Sequence, residues 1–84
     1  MNTQFALLAR FGKREIALND ISEEFFGLLP KTANARANDE GLPIPTYRLI
    51  DSQKAPRLVD VEVLANYIDE QREKAAQNWR YSNT

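Results

Sequence analysis

The fold is decided by residues 19–41, which read NDISEEFFGLLPKTANARANDEG. Either Asn19 or Asp20 is a suitable N-cap for a first helix of about two turns. The apolar stripe of that helix consists of Ile21, Phe25 and Phe26. The helix is expected to end at Gly27, because glycine readily adopts the left-handed conformation that closes a helix.

A second helix is predicted from Pro30 to about Glu40, with Gly41 at its end. Residues 27–29 form a three-residue turn before it, and proline suits the first helical position because its missing N–H has no partner there. Two helices joined by a tight turn are typical of the helix-turn-helix, in which the second helix enters the major groove of DNA.

This second helix has an outer face suited to reading bases. If Ala33 and Ala37 are buried, the step of about 100° per residue turns the other residues outward or to the flanks. That set comprises Lys31, Thr32, Asn34, Ala35, Arg36 and Asn38. Asparagine can pair with adenine, lysine and arginine can reach guanine or phosphate, and alanine can touch a thymine methyl. The alternative is a solvated polar helix that packs through its alanines.

A hairpin is predicted to follow, since Pro43 and Pro45 exclude further helix and extend the chain. Its strands are residues 44–50 and 57–59, and residues 51–56 form the polar connection. A helix-turn-helix followed by such a hairpin is a winged helix-turn-helix, a fold that is mainly α with a small β-hairpin.

The turn of this hairpin gathers polar and basic residues, namely Arg48, Gln53, Lys54 and Arg57. Such side chains can bind phosphates or enter the minor groove beside a recognition helix. An ordinary basic hairpin loop is the alternative, and the loop taken alone does not decide between the two.

Helices are also predicted on both sides of this unit. Residues 3–11 combine helix formers with apolar residues and precede Gly12; a strand that pairs with residues 15–18 is the alternative. From Asp60 an apolar stripe recurs at helical spacing as far as Trp79, which predicts the longest helix of the chain.

With 84 residues, 43% of them hydrophobic, the chain is long enough for a single core. We expect one domain over residues 1–80 and a flexible tail at residues 81–84. The sequence has no cysteine and no histidine, which excludes disulfides, thiolate nucleophiles and imidazole bases. Its paired carboxylates are typical of solvated helix faces, and it has no glycine-rich phosphate loop. The sequence therefore predicts a protein that is not an enzyme and that needs neither cofactor nor metal.

The formal net charge of −1, taken alone, argues against nucleic-acid binding. Its distribution matters more, because residues 30–57 hold five basic and three acidic side chains, a net charge of +2. The N-terminal residues lack the charge order of a secretory signal, and no run approaches the roughly 20 apolar residues that span a bilayer. We therefore expect a cytoplasmic protein without membrane contact, associated with the nucleoid when bound to DNA.

Two stretches carry a resemblance to a known family. Residues 45–59, which read PTYRLIDSQKAPRLV, and residues 64–69, which read LANYID, resemble the signature of the pyocin activator protein family, PrtN. The run SQKAP at residues 52–56 is the most specific part, and the resemblance extends over most of the chain to about Arg72.

The resemblance implies a small regulator of phage or prophage origin that binds short promoter-proximal DNA elements and activates bacteriocin or phage late genes. Double-stranded DNA would be its partner, with RNA polymerase as a second candidate. Carried over by residue, it implicates Arg48, Ser52, Gln53, Lys54 and Arg57 in DNA binding. It assigns no role to Asn34 or Asn38, because the second helix varies between members of the family.

Other classes of protein share parts of this pattern. An excisionase-like or AlpA-like factor uses the same winged scaffold to bend DNA for recombination. An interaction adaptor would instead dock a partner protein through the last helix, with Tyr67, Ile68 and Trp79 as anchors. The same helix could join two copies into a homodimer that matches a two-fold DNA site.

Overall fold

The computed structural model describes residues 2–83, within which the chain forms four helices and two short strands. The helices are α1 (Thr3–Phe11), α2 (Leu18–Phe26), α3 (Pro30–Asn38) and α4 (Val61–Ser82). The strands are β1 (Glu15–Ala17) and β2 (Leu58–Asp60). The predicted class, mainly α with a small β-hairpin, is confirmed in part: the protein is mainly helical with a small two-stranded antiparallel sheet, but the sheet is not a hairpin.

Helices α2 and α3 are joined by the turn that the sequence predicts. Gly27 has φ 69°, in the left-handed region, and its N–H donates to the Glu23 carbonyl at 3.1 Å. The next N–H, that of Leu28, donates to the Ser22 carbonyl at 3.1 Å, so that the last carbonyls of α2 have partners. Pro30 occupies the first turn of α3, and α3 packs against α2.

Both ends of this helix pair differ from the prediction. The N-cap of α2 is Ala17, with no side-chain cap, rather than Asn19 or Asp20. Strand β1 runs directly into the helix, and the Leu18 N–H donates instead to the Arg57 carbonyl at 2.9 Å. Helix α3 ends at Asn38 rather than near Glu40, because Glu40 itself takes the left-handed conformation with φ 55°.

The sheet joins two parts of the chain that lie far apart in sequence. Strands β1 and β2 pair antiparallel, with Ile16 opposite Val59. On the other side of β2, Tyr47 forms a single bridge with Leu58, through hydrogen bonds of 3.0 and 2.7 Å. Burial raises the pKa of the Tyr47 phenol above its ordinary value, which further favours its neutral form.

The hairpin strand predicted at residues 44–50 is wrong, because Tyr47 is the only residue of that segment with ladder pairing in the described chain. Pro43 and Pro45 have no N–H to donate, and Ile44 turns into the core. The second strand, predicted at residues 57–59, is shifted by one residue. The pairing of residues 3–11 with residues 15–18 is also wrong, since residues 3–11 form α1.

The core lies between the sheet, helices α1, α2 and α3, and the first half of α4. Its largest fully buried apolar side chains are Ile16, Leu18, Ile21, Val59, Val61 and Leu64. Helix α4 is capped by Asp60, whose carboxylate accepts hydrogen bonds from the N–H groups of Glu62 at 3.2 Å and Val63 at 3.4 Å. As predicted, this half of α4 faces the core.

The second half of α4 extends beyond the core. Among residues 69–83 only Ala76 is half-buried, and all the others are exposed. The protein is accordingly elongated, with a longest dimension of 52 Å. Tyr81 and Ser82 lie in the last turn of α4 rather than in irregular chain, and Thr84 lies outside the described residues. The flexibility expected of residues 81–84 stays a prediction.

One polar side chain in the core provides a test of the packing. Ser22 is fully buried on α2, and its hydroxyl has no hydrogen-bond partner among the described residues. We expect Ser22→Ala to raise the free energy of unfolding by about 1 kcal/mol, because it removes an unsatisfied buried group and improves helix propensity. Urea denaturation measures this. The control is Ser82→Ala, at an exposed position of α4, which should change the free energy of unfolding by less than about 0.5 kcal/mol. A lower free energy of unfolding in Ser22→Ala would contradict the prediction.

Candidate nucleic-acid interface

Helix α3 has the two faces that the sequence predicts. Ala33 and Ala37 are buried, with the helix packed against α2 through this side. Asn34 is half-buried, and the remaining predicted contact residues of the helix are exposed, namely Lys31, Thr32, Ala35, Arg36 and Asn38. The small buried residues let α3 lie close to α2 while its polar side chains face solvent.

Asn34 has a different environment from the rest of that set. Its side-chain nitrogen donates to the Asn19 side-chain oxygen at 2.8 Å and to the Pro30 carbonyl at 2.7 Å. Because a side-chain amide has two N–H donors, both donors of Asn34 are engaged within the protein. In this structure Asn34 therefore links α3 to α2, and a contact with adenine through its N–H group would require these bonds to open.

The segment between Tyr47 and Leu58 forms an ordered loop, which we call the basic loop (residues 48–57). The Arg48 Nε donates to the Ala55 carbonyl at 3.1 Å and so ties the two sides of the loop together. The Ala55 N–H donates to the Ser52 carbonyl at 3.1 Å, and the Lys54 N–H donates to the Ser52 hydroxyl at 3.2 Å. These bonds give the loop a defined shape, although no strand directly precedes it.

Arg57 connects the basic loop to α3. One guanidinium nitrogen donates to the Thr46 hydroxyl at 3.1 Å, and the other donates to the side-chain oxygen of Asn38 at the end of α3. Arg57 is half-buried, whereas the sequence analysis places it at the exposed turn of the hairpin. Its contacts bring the loop beside the C-terminal end of α3, so that the two predicted groups of site residues form one surface.

Three residues of this surface carry a positive charge that is exposed and has no side-chain partner within residues 2–83. Lys31, Arg36 and Lys54 are exposed and have no ion pair or side-chain hydrogen bond with any described residue. By contrast, Arg10, Arg72 and Arg80 form ion pairs with Glu24, Asp69 and Glu73 respectively. The hydrogen bond from Arg10 lowers the pKa of Glu24, which keeps that carboxylate ionised. Exposed cations without a described partner thus lie on α3 and the basic loop, and also at Lys13 and Arg14 before β1 and at Lys74 on α4.

Acidic residues also border this surface. Asp39 and Glu40 follow α3, and Asp51 lies in the basic loop; all three are exposed. Each reduces the local positive potential, since opposite charges within a few ångströms partly cancel. The surface therefore has a modest net charge, and individual contacts rather than a broad field would govern binding of a polyanion.

Two features of the site were missed by the sequence analysis. The first is the link from Arg57 to Asn38, which joins residues far apart in the chain and has no local sequence signal. The second is the exposure of Leu49 and Ile50 in the basic loop, because the predicted strand would have given each of them a sheet face. The two prolines before them were the available signal against a regular strand.

Other kinds of site find little support in the described residues. Among residues 2–83 there is no group of three or more His, Cys, Asp or Glu side chains placed to hold a metal ion. Within the same range no helix has the length and apolar character needed to cross a membrane. The carboxylate pairs Glu23–Glu24 and Asp69–Glu73 are exposed, as expected of solvated helix faces.

Comparisons with known proteins agree with the resemblance seen in the sequence. Neither the curated proteins nor the solved structures compared with this chain gave a match. The model of one protein family, described as pyocin activator protein PrtN, matches residues 3–75. Because this match spans most of the chain, the protein belongs to the pyocin activator protein PrtN family.

Proposed function

We propose that this protein is a sequence-specific DNA-binding regulator that activates transcription of phage or bacteriocin-type genes. The family to which it belongs is described as an activator, which supports the direction of regulation. Its site of action would be the cytoplasm, where DNA and RNA polymerase are its candidate partners. On this proposal the α2–turn–α3 unit and the basic loop work together as a winged helix-turn-helix.

The contact of Arg57 with both Asn38 and Thr46 carries this proposal. It holds the basic loop against the end of α3, so that a duplex lying on α3 also meets the loop. The exposed face of α3 would enter the major groove, with Arg36 and the side-chain N–H group of Asn38 reading bases while the Asn38 oxygen holds Arg57. Arg48, Ser52, Gln53 and Lys54 would bind the adjacent backbone.

Selection of bound fragments from a random pool of duplex DNA tests this function. We expect the protein to enrich a defined motif at low salt. Lys54→Ala should weaken binding of the enriched fragment about tenfold, whereas Lys74→Ala, which removes an exposed lysine from α4, should leave it unchanged. Failure to enrich any motif at low salt would contradict a role as a sequence-specific regulator.

The outer half of α4 supports a homodimer as part of this proposal. Trp79 is 67% exposed, and with Ala75 and Ala76 it continues the apolar stripe of α4 beyond the core. Tyr67 and Ile68, the other two anchors of the adaptor hypothesis, are instead packed against the core. A second copy is the favoured occupant, because the same exposed apolar stripe on two copies would be covered by a two-fold, antiparallel pairing of their α4 helices.

A chain that ends at Glu70 should remain folded but lose self-association. It keeps every buried residue of α4, the last of which is Ala65, and removes the exposed half with Trp79. Sedimentation velocity of the two chains measures the change, and circular dichroism and urea denaturation establish that the shorter chain is folded. A full-length protein that stays monomeric at high concentration would exclude the dimer.

A further inference from the structure

The basic loop exposes two large aliphatic side chains next to each other. Leu49 is 74% exposed and Ile50 is 68% exposed, and their neighbours in the loop are polar or charged. Single exposed apolar residues are common on protein surfaces and need no explanation. Two adjacent exposed aliphatic residues are less common, and here neither lies in a strand whose sheet face its side chain could pack against.

The loop holds this pair in a defined position. The Ile50 carbonyl accepts a hydrogen bond of 2.8 Å from the Ser52 N–H, directly after the pair. On the other side, the Arg48 guanidinium is tied to Ala55 across the loop. The aliphatic pair is thus displayed on a loop that is already ordered, which lowers the entropy lost when the loop binds.

Positive charge lies on both sides of the pair. Arg48 precedes Leu49 directly, Lys54 follows four residues after Ile50, and Asp51 is the one acidic residue between them. Residues 48–53 and Arg57 line an open hollow of about 370 Å³. Cations that flank an apolar tip complement a polyanion with an apolar interior, and duplex DNA, with phosphates outside and stacked bases inside, has that arrangement.

We propose that Leu49 and Ile50 form a wedge that enters the minor groove and partly unstacks one base step, so that the bound DNA is bent. This inference rests on the proposed function, since it concerns how the basic loop binds the same duplex. Apolar wedges of this kind bend DNA by roughly 20–90° toward the major groove. The bent step should be a pyrimidine–purine step, because these steps unstack most easily.

The test uses a duplex of about 30 base pairs that contains the motif enriched by selection, labelled at both ends for energy transfer. Binding of the wild-type protein should shorten the end-to-end distance and make thymines at one step reactive to permanganate. The double variant Leu49→Ser with Ile50→Ser should lose at least half of the shortening and all of the added reactivity, while still binding the duplex.

Two control variants isolate the apolar character of the pair. The double variant Leu49→Met with Ile50→Met keeps large apolar side chains and should retain the bend. Phe5→Ser removes an apolar residue of α1 that is 63% exposed, and should also retain it. Circular dichroism checks that each variant is folded, as expected because all three positions are exposed.

The outcomes distinguish failure of the wedge from failure of the proposed function. If the wild-type protein binds the selected duplex and leaves it straight, or if the serine and methionine variants bend it equally, the wedge is wrong and the DNA-binding regulator stands. If the protein binds neither the selected nor a mixed-sequence duplex, both proposals fail. If the serine variant changes sedimentation of the DNA-free protein, the pair contacts a second copy and the wedge is overturned.

Discussion

Raising the salt concentration from about 50 to 200 mM should weaken binding to duplex DNA roughly 60- to 1,000-fold. A protein with a net charge of −1 has no overall attraction to DNA, so binding must depend on a few local phosphate contacts and the counterions they release. With about three to five contacts, a plot of the logarithm of the binding constant against the logarithm of salt concentration should have a slope near −3 to −5. Fluorescence anisotropy with a labelled duplex measures it.

The structure indicates which residues set that slope. Lys31, Arg36 and Lys54 are exposed cations without internal partners, so their charges are available to phosphates. Removal of one of them by substitution with alanine should make the slope shallower by about one unit. Lys74→Ala is the matched control, because that lysine lies on the part of α4 that extends away from the core. A slope near zero with binding intact would contradict this electrostatic arrangement.

The parts of the fold that could be predicted from sequence are those with local signals. Gly12 and Gly27 end α1 and α2 with φ of 75° and 69°, and glycine marks such positions in any sequence. Pro30 similarly marks the start of α3. The apolar spacing along α4 predicted its buried half, because one helix face repeats whatever the rest of the chain does.

The parts that could not be predicted depend on partners distant in the chain. Leu18 begins α2 without a side-chain cap because the Arg57 carbonyl accepts its N–H, a contact between residues 39 positions apart. The strand assigned to residues 44–50 failed for a related reason. Pro43 and Pro45 indicate an extended chain, yet β2 pairs mainly with β1 and, among the described residues, leaves only Tyr47 on its other edge.

In the candidate site, too, local features could be predicted from the sequence and contacts between distant residues could not. The exposure of most polar side chains on α3 and in the basic loop could be predicted, because periodicity and composition identify exposed polar positions. The sequence did not show which of them already have partners. Asn34 is bonded to Asn19, and Arg57 is bonded to Asn38 and Thr46, so these two residues position the site in addition to any contact they make with DNA.

The final prediction separates reading, backbone binding and positioning. Asn38→Ala removes a base contact and the α3 partner of Arg57, so it should weaken the binding free energy at the selected motif by about 1–3 kcal/mol and relax the base preference, with little change on random DNA. Asn34→Ala should also weaken the selected motif, by altering the position of α3 against α2. Lys54→Ala should weaken selected and random duplexes about equally, because a phosphate contact carries no sequence information.

Arg57→Ala should have the largest effect of this series, because it removes a positive charge and the link between the basic loop and α3. We expect the binding free energy for the selected motif to weaken by about 2–3 kcal/mol and the base preference to relax, while binding to random DNA weakens less. Arg57→Lys is the matched control. It retains the charge but cannot form both hydrogen bonds, to Asn38 and to Thr46, at once. The Arg57→Lys variant should therefore have the salt slope of the wild-type protein and the relaxed base preference of Arg57→Ala. Competition binding with the selected and a scrambled duplex, on variants shown to be folded, measures both quantities. If Lys54→Ala changes base preference while Asn38→Ala and Arg57→Lys bind normally, α3 is not the helix that reads the DNA.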